Sequence, residues 1–550
     1  MVAGGAAAAA TALPASALTQ SEPEPGEPRI TDATLAEAEK LAAIEFTLKE
    51  RTEILTSIGD EIERYRRRRT VELPNGLGPA TVFDARSPGN SIPDRELYVG
   101  SGTDPGPLAS DDASIAYAPV TALSTWIRGG ALTSERLTGI YLRRLERLGP
   151  KLQCTITLLE QRSLAQARRA DADIAAGNYR GPLHGIPWGA KDLLDAAGTP
   201  TTWGAAPYKD RVATTDSAVV RRLDDAGAVL VAKLSLGALA YGDIWFGGRT
   251  NNPWKLDQGS SGSSAGPCAA TAAGLAGFTL GTETLGSIVT PCMRCGTTGL
   301  RPTFGRVART GAMALCWSLD KIGPICRTVE DCAIVLAAIN GADPGDPSSV
   351  DVPLSFDATR SVRGKRVGYS PKWFEGRGAS DLDRAALSAA RRTGVELVEI
   401  ELPDLPYGTL MTILLVEAAA AFEELTLSDR DDELVWQDPR AWPNSFRTAR
   451  FTPAVELLQA QRFRRLVCEM MAERFEDLDA MISPSYAGSL LLITNNTGHP
   501  SLTIRCGFRD DGTPSGITLW GGLFDAGTLC GIGMALEKEL AVWDRRPPLG

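Results

Sequence analysis

A chain of 550 residues, 43% of them hydrophobic, has enough apolar surface for a large buried core, and its length admits one big α/β domain or a few smaller ones. The net charge of −10 argues against nucleic acid as the primary partner, and the one basic run, Arg66–Arg69, closes a helical pattern and reads as a solvated helix end. Ten cysteines are too sparse for a disulfide scaffold. The single CxxC, at Cys292 and Cys295, has no second pair, and two histidines, His184 and His499, are too few for a three-histidine metal site.

Val2 to Leu18 is an uncharged, alanine-rich run followed by the acidic SEPEPGEP. It resembles the apolar part of a signal peptide without its basic start, and it equally suits a disordered tail, so a cytoplasmic and an exported location both stay open. No internal run reaches the ~18 apolar residues of a membrane span. Residues 30–69 carry one helical pattern, with Thr34 and Glu37 as an expected capping box. Residues 71–113, rich in Pro, Gly, Asp and Ser, read as a connector. The expected divisions are therefore residues 1–29 as leader or tail, 30–115 as helix and connector, and 116–550 as the body.

In the body, helical and strand-like segments alternate about intervening glycines. A helix opens at Thr133 and is expected to end at Gly149-Pro150. A strand follows from Cys154, then a helix to about Ala176. The helix Ala218–Asp225 and the strand Ala228–Lys233 come next. The rhythm recurs at 329–339, 366–369 and 384–400, and again from 454 to 539. It predicts an α/β fold: one large mixed sheet covered by helices on both faces, with an N-terminal helical extension.

Three serine-enzyme patterns compete. Gly262-Ser263-Ser264-Ala265-Gly266 matches a nucleophile elbow, with His499 downstream, but that motif needs a strand directly before it and NNPWKLDQGS reads as a polar turn. Ser318-Leu319-Asp320-Lys321 matches S-x-x-K without its companion K-T-G. The third pattern joins two serine-bearing glycine loops, 259–266 and 281–287, to Lys191 in the small, apolar PWGAKDLL. A serine nucleophile needs a base, and a buried lysine sheds its proton near neutral pH because desolvation disfavours the ammonium. Taken alone, Lys191 reads better as a strand-end lysine paired with Asp192.

Residues from about 119 to 540 resemble the amidase signature family. The resemblance rests on GIPWGAKD (185–192), NPW (252–254), GSSGSSAG (259–266), GTETLGSI (281–288), CGTTGLRPTFGRV (295–307) and TGHPSLTIRCGF (497–508), in order along the chain. It implies a Ser-cisSer-Lys triad, with Ser287 as nucleophile, Ser263 as the bridging serine on a cis peptide and Lys191 as base. It also implies an oxyanion hole from the backbone N–H groups of Thr284, Leu285, Gly286 and Ser287. The implied activity is hydrolysis of an amide carbon–nitrogen bond through a seryl acyl-enzyme, with no metal or organic cofactor.

Two departures from the family pattern matter. Glu283 replaces an aspartate and Val289 an arginine, so the ion pair usual there cannot form with Val289, and Arg294 is the candidate substitute. Family members differ in the segment corresponding to 370–480, which here holds Trp373, Phe374, Phe422, Trp436 and Trp442 as an aromatic pocket or as plain core. The expected partner is a small-molecule amide, and a homodimer stays open. Two alternatives remain: the amidase subunit of a glutamine-dependent amidotransferase, and a catalytically silent binding protein.

Overall fold

The computed structural model describes residues 30–86, 92–376 and 378–549, so the expectation for residues 1–29 lies outside the described residues. Contacts divide the chain into a unit ending at Pro74 and a unit beginning at Asn75.

The first unit holds three helices, Asp32–Ala42, Leu48–Leu55 and Ile58–Arg69, instead of one. The breaks follow local chemistry. Ala43 adopts the left-handed conformation (φ 53°), and Thr47 with Glu50 forms a capping box that starts the second helix. The first capping box is Thr31 with Thr34, not Thr34 with Glu37. Glu37 instead pairs with Lys40 at 2.7 Å. Arg66–Arg69 form the last turn of the third helix.

In the second unit an eleven-stranded mixed sheet is flanked by helices. Across the sheet the strands run Glu396–Glu399, Arg366–Tyr369, Ala480–Pro484, Pro514–Gly521, Ser501–Phe508, Thr298–Arg301, Lys321–Cys326, Phe278–Glu283, Pro187–Lys191, Val229–Leu234 and Thr155–Leu158. Phe278–Glu283 and Val229–Leu234 both pair in parallel with Pro187–Lys191. Most of the other neighbours are antiparallel. The central strands are buried along their whole length and accordingly read as continuous small and apolar runs without alternation.

Residues 75–113 are more than a connector. Leu97–Val99 pairs in parallel with Ser355–Asp357. Asn75 holds both the N–H and the C=O of Ala314 (2.8 Å each), and its own carbonyl accepts the indole N–H of Trp317. The helix capped by Thr133 runs through Pro150 to Leu152, because a proline in the final turn forfeits one intrahelical bond only. No helix among the described residues is long and apolar enough to cross a membrane.

Candidate active site

Two neighbouring strands of the sheet and one loop outside it converge here. Lys191 ends the strand Pro187–Lys191, and the adjacent strand Phe278–Glu283 delivers the loop Thr284–Ser287. The loop with Ser263 and Ser264 leads into the helix Ala265–Ala272, and Ser287 precedes the helix Val289–Cys295. Ser264 N donates to the Ser287 carbonyl (3.1 Å), and Thr290 Oγ1 donates to the carbonyls of Gly262 (3.0 Å) and Gly286 (2.8 Å). These bonds tie the two serine loops into one body.

Lys191 is fully buried. Its Nζ donates to Ser263 Oγ (2.8 Å), Ser264 Oγ (3.2 Å), Thr282 Oγ1 (2.8 Å) and the Thr282 carbonyl (3.4 Å). Burial pulls its pKa down to about 7, even though the carboxylates of Asp320 and Glu283 favour the ammonium. Asp192 does not hold it. That carboxylate accepts from Lys233 Nζ (2.8 Å) and from Thr202 N–H and Oγ1 (2.8 and 2.6 Å), forming a separate buried pair. The Gly262–Ser263 peptide is cis. A methyl group on Gly262 would fall 1.8 Å from the Gly242 carbonyl, so only glycine fits there.

The N–H groups of Thr284, Leu285, Gly286 and Ser287 have no intramolecular acceptor among the described residues. Gly286 turns this loop at φ 84°, a conformation that disfavours any side chain. Thr284 Oγ1 is anchored on Asp320 (2.5 Å), whose other oxygen takes the N–H groups of Leu315 and Cys316. Ser287 remains slightly exposed, at 7%, whereas Ser263 is at 0%.

Arg294 does not replace the missing ion-pair partner, because it donates to Gln258 (2.7 Å). Glu283 pairs instead with Arg301 of the neighbouring motif, Nη1 to Oε1 at 2.6 Å, both side chains fully buried. Its other oxygen receives the N–H groups of Ile288 and Val289 (2.8 and 2.9 Å), and Asn495 adds a bond of 2.9 Å. Burial pushes the Glu283 carboxyl up, but the Arg301 charge and these donors outweigh it and hold it at about 2. Arg301 stood in a quoted motif, but sequence spacing alone gives no reason to pair it with Glu283. The pairing follows from strand order.

Neither rival motif assembles a catalytic set of its own, although Ser263 lies in the first and Asp320 in the second. A strand, Lys255–Gly259, does precede the elbow-like Gly262–Gly266, against the expectation of a plain turn, but it pairs only with Asn251–Asn252, outside the main sheet. His499 stacks on Phe475, bonds Thr497 Oγ1 (2.7 Å) and is pushed down to about 3 by burial, which is a core histidine's environment. His184 accepts from Arg180 N–H. Ser318 donates to Glu417 (2.6 Å), while Lys321 Nζ bonds the Leu319 carbonyl. All ten cysteines are free thiols.

A cavity of about 250 Å³ opens beside Thr282 and Thr284. Its walls include Met313, Leu315, Trp317 and the segment 76–83, with Glu417 the one contribution from the variable segment. The aromatic residues of that segment are elsewhere. Phe374, Phe422 and Trp442 are core, and Trp436 packs at a tilt against Tyr241 with ring centres 5.0 Å apart.

The chain matches the family model for amidases over residues 136–493. It is 34% identical over 470 residues to a glutamyl-tRNA(Gln) amidotransferase subunit from Roseiflexus sp., a match covering 76% of this chain and 95% of that one. A protein of the same description from Halorhodospira halophila is 32% identical over 487 residues, covering 78% and 99%. Among solved structures, peptide amidase from Stenotrophomonas maltophilia aligns with a TM-score of 0.70 and 31% identity, covering 78% of this chain and 98% of that one. A bacterial aryl acylamidase shares the fold at a TM-score of 0.70 and 20% identity, covering 78% and 99%. With this fold and this extent of match, the chain belongs to the amidase signature family. It is a hydrolase acting on amide carbon–nitrogen bonds.

Proposed function

We propose that the protein cleaves a small amide with Ser287 as nucleophile, Ser263 as proton bridge and Lys191 as base. The observation that carries this reading is the buried Lys191 amine 2.8 Å from Ser263 Oγ, on a loop tied to the Ser287 loop. Neutral Lys191 takes the Ser263 proton as Ser263 takes that of Ser287, and the Ser287 oxygen bonds to the amide carbonyl carbon. The four loop N–H groups receive the developing oxyanion, and each such donor is worth about 2.7–4 kcal/mol of barrier. The proton held at Lys191 returns through Ser263 to the leaving nitrogen as the carbon–nitrogen bond breaks. Water then attacks the ester, delivers its proton back along the relay and releases the acid. The chemistry is complete without a metal or organic cofactor.

The substrate's larger group is accommodated in the cavity beside Thr284, against Met313, Leu315 and Trp317. Turnover of a panel of anilides, primary amides and glutamine by wild type and Ser287→Ala tests the assignment. Cleavage of anilides or primary amides that disappears in the variant supports it, and a fully active Ser287→Ala refutes it.

A second reading draws on the relatives described as glutamyl-tRNA(Gln) amidotransferase subunits, which match at 32–34% identity over nearly their whole length. Under it the same centre releases ammonia from glutamine for a partner protein. Activity confined to glutamine in the same panel would favour this role.

A further inference from the structure

A second cavity, of about 150 Å³, is lined by Arg327, Arg505, Arg545, Arg546, Thr297 and Trp254, among others. Its most telling feature is buried positive charge with no carboxylate at ion-pair distance among the described residues. Arg505 and Arg327 are only 8% and 9% exposed. Arg327 donates to the carbonyls of Ala118 (2.8 Å), Ala276 (2.9 Å) and Gly277 (3.0 Å), which satisfy its N–H groups but not its charge. Arg505 donates to the Trp543 and Arg545 carbonyls and keeps a buried Nε with no partner among the described residues. Thr297 Oγ1, on the same wall, is likewise buried, with the Cys268 thiol as its one polar neighbour among the described residues.

None of the four arginines has a carboxylate within ion-pair distance among the described residues. Asp544 and Glu537 are the acids whose charge Arg505 feels. Burial pushes the Glu537 carboxyl up to about 8, so it contributes little negative charge at neutral pH. Asp331 lies near Arg327 and Asp111 near Arg546, neither within ion-pair distance. Aromatic rings hold three of the arginines apart: Arg505 lies 5.4 Å over Trp254, Arg545 4.0 Å over Phe508 and Arg546 4.9 Å over Tyr117. Buried charges are ordinarily paired, because an unpaired one forfeits its hydration.

We infer that this cavity is a binding site for a phosphate-class oxyanion, held by Arg505 Nε and Thr297 Oγ1 from within and by Arg545 and Arg546 at the mouth. Guanidinium forks and a hydroxyl are the donor set such an anion takes. The site also has a structural consequence. The helices Ala265–Ala272 and Val289–Cys295, which follow the two serine loops, end at its wall through Ala272 and Gly296. A bound oxyanion would tie Thr297, just past the second helix, to Arg545 and Arg546 of the C-terminal segment.

The test is calorimetric titration and thermal unfolding of the full chain with inorganic phosphate and with phenyl phosphate, against chloride at equal ionic strength. Saturable binding and a raised Tm are expected in wild type, with binding weakened about tenfold or more in the Arg545→Ala/Arg546→Ala double variant and in Arg505→Gln. The double variant alters exposed side chains, so it stays informative if Arg505→Gln does not fold. Equal binding of both probes identifies the free ion as the ligand, and tighter binding of phenyl phosphate identifies a phosphate carried on a larger molecule. The site is overturned if neither probe exceeds chloride, or if the double variant binds as wild type does.

Discussion

At the scale of single residues, the reaction turns on the protonation state of Lys191. Only the neutral amine accepts the serine proton, and burial places its pKa at about 7. Activity is therefore expected to rise as pH increases through about 7 and to fall on the acid side, with kcat/KM following one ionisation. A profile flat to well below that value would remove Lys191 as the base. Lys191→Met, Ser263→Ala and Ser287→Ala are each expected to lower kcat/KM by about 10⁴-fold or more while circular dichroism stays native. Lys191→Met carries a second signature. The unfolded lysine binds a proton up to its ordinary pKa of 10.5, whereas the folded one releases it near 7. Folding is thus opposed below that range and gains stability as pH rises through it. The methionine variant should lose this pH dependence, read by urea unfolding across the range.

At the scale of elements, the Ser287 loop is held from beneath. The Glu283 carboxylate at the end of its strand caps the start of the Val289–Cys295 helix and pairs with Arg301 from the strand Thr298–Arg301. Removing one partner of a buried pair typically costs about 3–5 kcal/mol. Glu283→Gln is expected to destabilise by about that amount, measured by urea unfolding at neutral pH. The sign with pH follows from the depressed carboxyl. Its stabilisation is present above the ordinary value of 4.5 and is lost as pH falls towards about 2. The variant should lack this acid-limb increment. An unchanged acid limb would show that the carboxylate does not brace the loop.

At the scale of the whole molecule, the cavity beside Thr284 depends on a segment far away in sequence. Residues 76–83 line it, and Asn75 fastens that segment to Ala314. Removing residues 1–74 is expected to leave amide cleavage intact. Removing residues 1–86 should raise KM and broaden substrate preference, because one wall of the cavity goes with them. Equal kinetics for the two truncations would place the substrate elsewhere.

The sequence by itself determined the α/β class, the bounds of body elements such as 218–225, 329–339, 366–369 and 454–475, and, through the family resemblance, the lysine and serines of the candidate site. These are legible because periodicity, glycine punctuation and ordered motifs are local signals. The tertiary structure alone decided three things. The partner of Glu283 is Arg301 because the sheet sets their strands on either side of Lys321–Cys326, where the arginine reaches across to the carboxylate. Asp192 turns to Lys233, which leaves Lys191 to the serines. The breaks at Ala43–Thr47 and at Thr56–Ser57 divide one apparent helix into three. Each depends on which side chain is within reach of which, and that is set by strand order and backbone dihedrals, which a linear pattern does not carry.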